Sequence, residues 1–95
     1  MTFRLLFTVG AAEQLKALDS EPVRLRKVRK TLGLLETNLR HPGLHTHKFQ
    51  SLSRQLGIDV FEAYVEGKTP GAYRVFWHYG PGKGSITVIA ITPHP

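Results

Sequence analysis

Three strand-like runs follow one another between Asp59 and Pro95, and they leave the chain few ways to fold. From Asp59 to Glu66 the residues alternate, with Phe61, Ala63 and Val65 on one face and Val60, Glu62 and Tyr64 on the other. Gly67 to Gly71 is a turn. From Ala72 to Tyr79 the alternation resumes, with Tyr73, Val75 and Trp77 opposing Arg74, Phe76 and His78. The glycine-rich GPGKG segment reads as a hairpin loop. Ser85 to Thr92 is a β-branched run and reads as a buried central strand.

The first half of the chain has a different period. Leu25, Val28, Leu32, Leu35 and Leu39 recur at spacings of three and four, which is one apolar stripe on an α-helix. Arg40, His41, Pro42 and Gly43 stop it. Ala11 to Leu18 predicts an earlier helix, with Ala11, Leu15 and Leu18 on one side. Between the two, Asp19 to Pro22 makes a turn, with Ser20 as N-cap and Pro22 in the first helical turn. Phe3 to Val9 reads as a strand ended by Gly10. Its apolar run is too short for a signal peptide's core or a membrane span. His45 to Ser53 is a weak, polar strand candidate.

Neither helix can bury its stripe alone, so both need the sheet. The expected fold is α+β and a single domain over residues 1–95. It has an N-terminal strand, a helical hairpin, then a mostly antiparallel sheet of about four strands with the helices on one face.

Composition narrows the partners. Thirteen Lys and Arg against seven Asp and Glu give +6, a balance that favours polyanions such as RNA, DNA or an acidic protein segment. Arg24, Arg26, Lys27, Arg29 and Lys30 cluster off the leucine stripe. That run reads either as a solvated helix face or as a surface for RNA or an acidic partner. There is no cysteine, hence no disulfide or thiolate metal site, which fits a reducing cytoplasm. His41, His45 and His47 lack a carboxylate or cysteine that would complete a tetrahedral site, so no metal or cofactor is expected. Arg74 stands out as an arginine among aromatic and β-branched residues, where it must reach solvent, find a partner or serve a site. On a basic sheet it is a candidate phosphate ligand.

The order of elements, the basic second helix and the YR dipeptide of AYRVFW together resemble the RelE/ParE toxin superfamily. The similarity covers nearly the whole chain and runs on through HKFQSL, VFEAYV and ITVIAITPH. It implies a toxin of a toxin–antitoxin pair with an antitoxin protein as partner. RelE-like members cleave messenger RNA in the ribosomal A site, and ParE-like members act on DNA gyrase. The family's YR arginine, which contacts the scissile phosphate in RelE-like nucleases, matches Arg74. Two lysines of the preceding strand fall at Glu62 and Tyr64, and a last-strand arginine falls at His94, where some relatives place a histidine.

RNA cleavage through the 2′-hydroxyl needs a base, an acid and cations that offset charge on the phosphorane-like transition state. For that chemistry Glu62 is the candidate base, His94 the candidate acid and Tyr64 a stacking or hydrogen-bonding group, beside Arg74 as the phosphate clamp that the resemblance implies. Lys48 is either a solvated strand lysine or a phosphate ligand beside the cleft. Glu62 and Arg74 read equally well as a cross-strand ion pair on a solvated sheet face, worth at most about 1 kcal/mol. Tyr64 fits sheet-surface packing, and His94 fits a frayed terminal residue. The resemblance thus implies a cytoplasmic, metal-independent endoribonuclease acting on ribosome-bound mRNA, and no membrane partner is expected. A protein-binding ParE-like member and a plain basic RNA-binding module are the alternatives.

Overall fold

The computed structural model describes residues 2–94. Strand β1 (Arg4–Phe7) ends where Thr8 turns the chain into helix α1 (Val9–Ala17). The Thr8 hydroxyl accepts from the Ala11 N–H at 3.1 Å and donates to the Ile89 carbonyl, so one side chain caps the helix and ties it to the sheet. A cap of this kind is worth about 1 kcal/mol.

A single 3-10 turn, Leu18–Ser20, leads to α2 (Pro22–Thr37). Ser20 does not cap α2. Its hydroxyl donates back to the Ala17 carbonyl, and Glu21, the residue before Pro22, offers no side-chain cap. The proline itself stands at the helix start, where its missing N–H costs nothing. The leucine stripe is buried as its spacing requires, although Leu39 packs on the core from beyond the helix end.

His45 to Ser53 departs from its reading as a strand. Only His47–Lys48 pairs, as the two-residue strand β2, and Gln50–Leu56 forms helix α3. Phe49, Leu52, Ser53 and Leu56 have helical spacing, and Gly57 closes the helix at φ +72°, a conformation that favours glycine. Ser53 explains the switch from strand to helix. Its hydroxyl takes the Val60 N–H at 2.9 Å and lies 2.8 Å from the Phe49 carbonyl, locking the helix against the next strand.

Strands β3 (Phe61–Tyr64), β4 (Tyr73–Tyr79) and β5 (Ser85–Pro93) follow the predicted runs. The sheet has five strands in the order β1-β5-β4-β3-β2, with β1 parallel to β5 and every other pair antiparallel. Of the His45–Ser53 candidate only the two residues of β2 join it, at the edge. A bulge on β5 lets Trp77 pair with Val88 while Phe76 pairs with Ala90. Without it, Ile91 would fall on the opposite face from Ile86 and Val88. With it, all three reach the core together with Ala63, Val75 and Trp77, against Val28, Leu32 and Leu35 of α2 and Ala11 of α1. Both long helices therefore cover one sheet face. Among the described residues no helix is long and apolar enough to cross a membrane.

Candidate active site

The face away from α1 and α2 carries Glu62, Tyr64, Arg74 and Phe76, as the alternation requires. Register sets their geometry. Tyr64 pairs across the sheet with Arg74, and Glu62 pairs with Phe76 on one side and His47 on the other. The His94 N–H donates to the Ala72 carbonyl at 2.8 Å, which extends the β4–β5 ladder one step and brings His94 over the same face. The Phe49 ring packs on Phe76 at 5.0 Å and against His94 at 6.0 Å, giving the cleft an apolar wall.

Glu62 is the hub. Its side chain is 1% exposed, and each oxygen meets an imidazole. Oε1 lies 2.7 Å from His47 Nε2, and Oε2 lies 2.5 Å from His94 Nδ1. Arg74 Nε stands 4.0 Å from Oε2. This is not the solvated ion pair that alternation alone permits, because Arg74 is itself only 5% exposed. A buried carboxylate needs compensating partners, and Glu62 has three cationic or proton-donating ones.

Arg74 is held as firmly. Nη1 donates to the carbonyls of Glu66 (2.8 Å) and Tyr73 (3.0 Å), and Nη2 approaches that of Gly67 at 3.4 Å. The guanidinium carbon sits 3.7 Å from the Tyr64 ring centroid. Tyr64 also packs against His45 at 4.7 Å, so its π surface is engaged by two side chains and offers little to a nucleobase.

A cavity of about 480 Å³ opens over the cluster, lined by His47, Glu62, Tyr64, Arg74, His94 and the 68–71 turn, which brings Lys68 to its rim. A larger cavity, about 850 Å³, lies between Phe3, Leu39, His41 and Tyr79 and has no carboxylate and no part of this cluster in its lining.

The structure thus brings together Glu62, Tyr64, Arg74 and His94. It separates the basic residues from them. Strand alternation turns Lys48 away from His47, and its ammonium lies 2.9 Å from Asp59. Arg24 is engaged within the molecule, 2.5 Å from Glu21, 3.4 Å from Glu66 and stacked on Tyr73. Burial opposes its charge, but Glu66 and Glu21 outweigh that and raise its pKa. Lys27 reaches Glu66 at 3.7 Å. Arg26, Arg29 and Lys30 stay exposed on α2 and form no ion pair among the described residues. His47 joins the candidate site without a signal in the sequence beyond its histidine spacing, because a strand of two residues leaves almost no alternation to show which way it faces.

The same architecture recurs in solved structures. A YoeB/ParE toxin from Agrobacterium tumefaciens superposes with a TM-score of 0.73 at 8% identity, over 98% of this chain and all of that one. The RelE–RelB complex from Pyrococcus horikoshii OT3 gives 0.68 at 18% identity, over 98% and 96%. The DinJ–YafQ toxin–antitoxin complex of E. coli gives 0.71 at 12%, over 99% and 94%. The chain has the RelE/ParE toxin fold. At these identities the likeness concerns the fold. No sequence-family model and no curated protein matches the chain. Within the RelE/ParE fold, the present cluster occupies the open sheet face that the two long helices leave free.

Proposed function

We propose that the chain is a RelE-like toxin of a toxin–antitoxin pair and acts in the cytoplasm as a metal-independent endoribonuclease on ribosome-bound mRNA. The observation that carries this reading is the convergence of Glu62, Arg74, His47 and His94 beneath one open cavity. Imidazoles placed on a fixed carboxylate can move protons near neutral pH. The neighbouring cations offset the charge that builds on a phosphorane, which is what cleavage through a 2′-hydroxyl requires. Solved neighbours are held in complexes with RelB and with DinJ, which supports an antitoxin as the partner here. The exposed Arg26, Arg29 and Lys30 on α2 suit a polyanion such as ribosomal RNA.

Primer extension on translated mRNA tests the proposal. Wild type is expected to leave codon-phased cuts that His94→Ala lacks. An intact translated message, with no growth arrest on expression, rules the nuclease out.

One observation favours a second reading. The Arg74 guanidinium gives most of its N–H groups to backbone carbonyls, which suits a structural brace better than a phosphate clamp. A ParE-like protein that works through contacts with gyrase needs no such clamp. Inhibition of gyrase supercoiling without mRNA cleavage selects that reading.

A further inference from the structure

The proton-carrying atom of the cluster can be named from its hydrogen bonds, an inference that rests on the ribonuclease reading. A general base has to reach the proton it takes. Glu62 does not, because it is 1% exposed and both of its oxygens already accept from imidazoles at 2.5 and 2.7 Å. The two histidines over it are both about half exposed and line the cavity, but their nitrogens are used differently.

His47 has none to spare. Its Nε2 faces Glu62 Oε1, and its Nδ1 lies 2.8 Å from the His45 carbonyl. A carboxylate and a carbonyl only accept, so full satisfaction needs a proton on each ring nitrogen. His47 is therefore engaged at both nitrogens and pins one oxygen of Glu62, with no free lone pair facing the cavity.

His94 has one free nitrogen. Nδ1 faces Glu62 Oε2, so it carries the proton, and the neutral ring keeps its lone pair on Nε2, which has no partner among the described residues. This is how a carboxylate selects the tautomer of a catalytic imidazole.

We propose that His94 Nε2 is the base that takes the 2′-hydroxyl proton, and that Glu62 and His47 are positioning residues acting through it. The substrate class is then single-stranded RNA with a free 2′-hydroxyl beside the scissile phosphate. The 2′-oxygen forms a bond to phosphorus as the bond to the 5′-oxygen breaks. The proton passes to Nε2, and the departing 5′-oxygen takes a proton from water. The hydroxide left behind is neutralised by the proton His94 later releases. The products are a 2′,3′-cyclic phosphate and a 5′-hydroxyl end.

Two measurements test this, one of them independent of activity. Long-range 1H–15N NMR on the wild-type protein reads the tautomer of each ring. The proposal expects His94 protonated on Nδ1 and His47 on both nitrogens, with the His94 preference lost in Glu62→Gln. His94 found protonated on Nε2 alone overturns it, whether or not the protein cuts RNA. The second measurement is the rate of mRNA cutting in a purified translation mixture. His94→Ala should lose at least about 100-fold, with partial recovery on adding imidazole. Glu62→Gln and His47→Gln should lose less, and imidazole should not restore them. A 2′-deoxy nucleotide at the cut site should block cleavage. If Glu62→Gln loses more than His94→Ala, or the 2′-deoxy substrate is cut, the assignment is wrong. A wild type that cuts nothing sinks the ribonuclease reading and this step with it, while the tautomers still show whether the Glu62–His94 geometry is real.

Discussion

Arg74 carries a full charge at 5% side-chain exposure, and its surroundings explain how. Three carbonyl oxygens, the Tyr64 ring and the Glu62 carboxylate replace the water it has lost. Removing it strands several of these at once. Arg74→Ala should cost roughly 3 kcal/mol of unfolding free energy, the range for breaking a buried charge cluster. Urea unfolding followed by far-UV circular dichroism gives the value, and a loss under ~1 kcal/mol would place the guanidinium's charge in solvent instead. Arg74→Lys should recover only part, since one ammonium cannot span the same carbonyls. That Arg74, Glu62 and Tyr64 share a face is written in the two-residue alternation of β3 and β4. The burial of Glu62 and Arg74 is not. His47 and His94 reach Glu62 from segments with little periodicity, and the Tyr64 ring and the carbonyls of Glu66 and Gly67 cover Arg74, so a pair that reads as solvated is enclosed.

Among the elements, the β2–α3 segment is joined to the start of β3 through one side chain, Ser53. Val60 is fully buried, and its N–H has the Ser53 hydroxyl as its partner at 2.9 Å. Ser53→Ala leaves that donor unpaired in the core, at a cost of about 1–3 kcal/mol. A thermal melt should show the loss, and Ser53→Thr, which keeps the hydroxyl, should show less of it. An unchanged midpoint for Ser53→Ala would mean that water satisfies Val60. The long α2 helix and strands β3 to β5 were legible because each repeats its period over many residues. Helix α3 was not, although Gly57 after QSLSRQL marks a helix end. Seven residues between a two-residue strand and a loop give polar helix and polar strand nearly equal claims. The β5 bulge left no trace in a run of small and β-branched residues, since Val88 to Ile91 suits either register.

Across the whole molecule, Glu66 joins the helix layer to the open sheet face. Its carboxylate accepts from the Tyr73 N–H at 2.9 Å and meets Arg24 and Lys27 of α2, while its carbonyl accepts from Arg74 Nη1. The Tyr73 N–H is the largest influence on its titration and lowers its pKa below the ordinary 4.5; burial opposes this, and Arg24 and Lys27 reinforce it. A carboxylate with a depressed folded pKa releases its proton more readily in the native state than in the unfolded chain. Its contribution is therefore complete above the unfolded value and drains away as the pH falls through the folded one. The raised pKa of Arg24 works only at the alkaline extreme, so it leaves the acid limb to Glu66. Wild type should lose stability below about pH 4.5 more steeply than Glu66→Gln, whose amide keeps the shape without titrating. Urea midpoints at pH 7 and pH 3 measure the difference, and parallel losses in the two proteins would show that acid acts elsewhere. Because the Glu66 carbonyl also holds Arg74, partial release of this corner in acid should loosen the cleft before the leucine-lined core opens. Amide exchange at Tyr73 should then accelerate at pH 3 ahead of that at Val75 and Trp77, which lie buried further along the same strand.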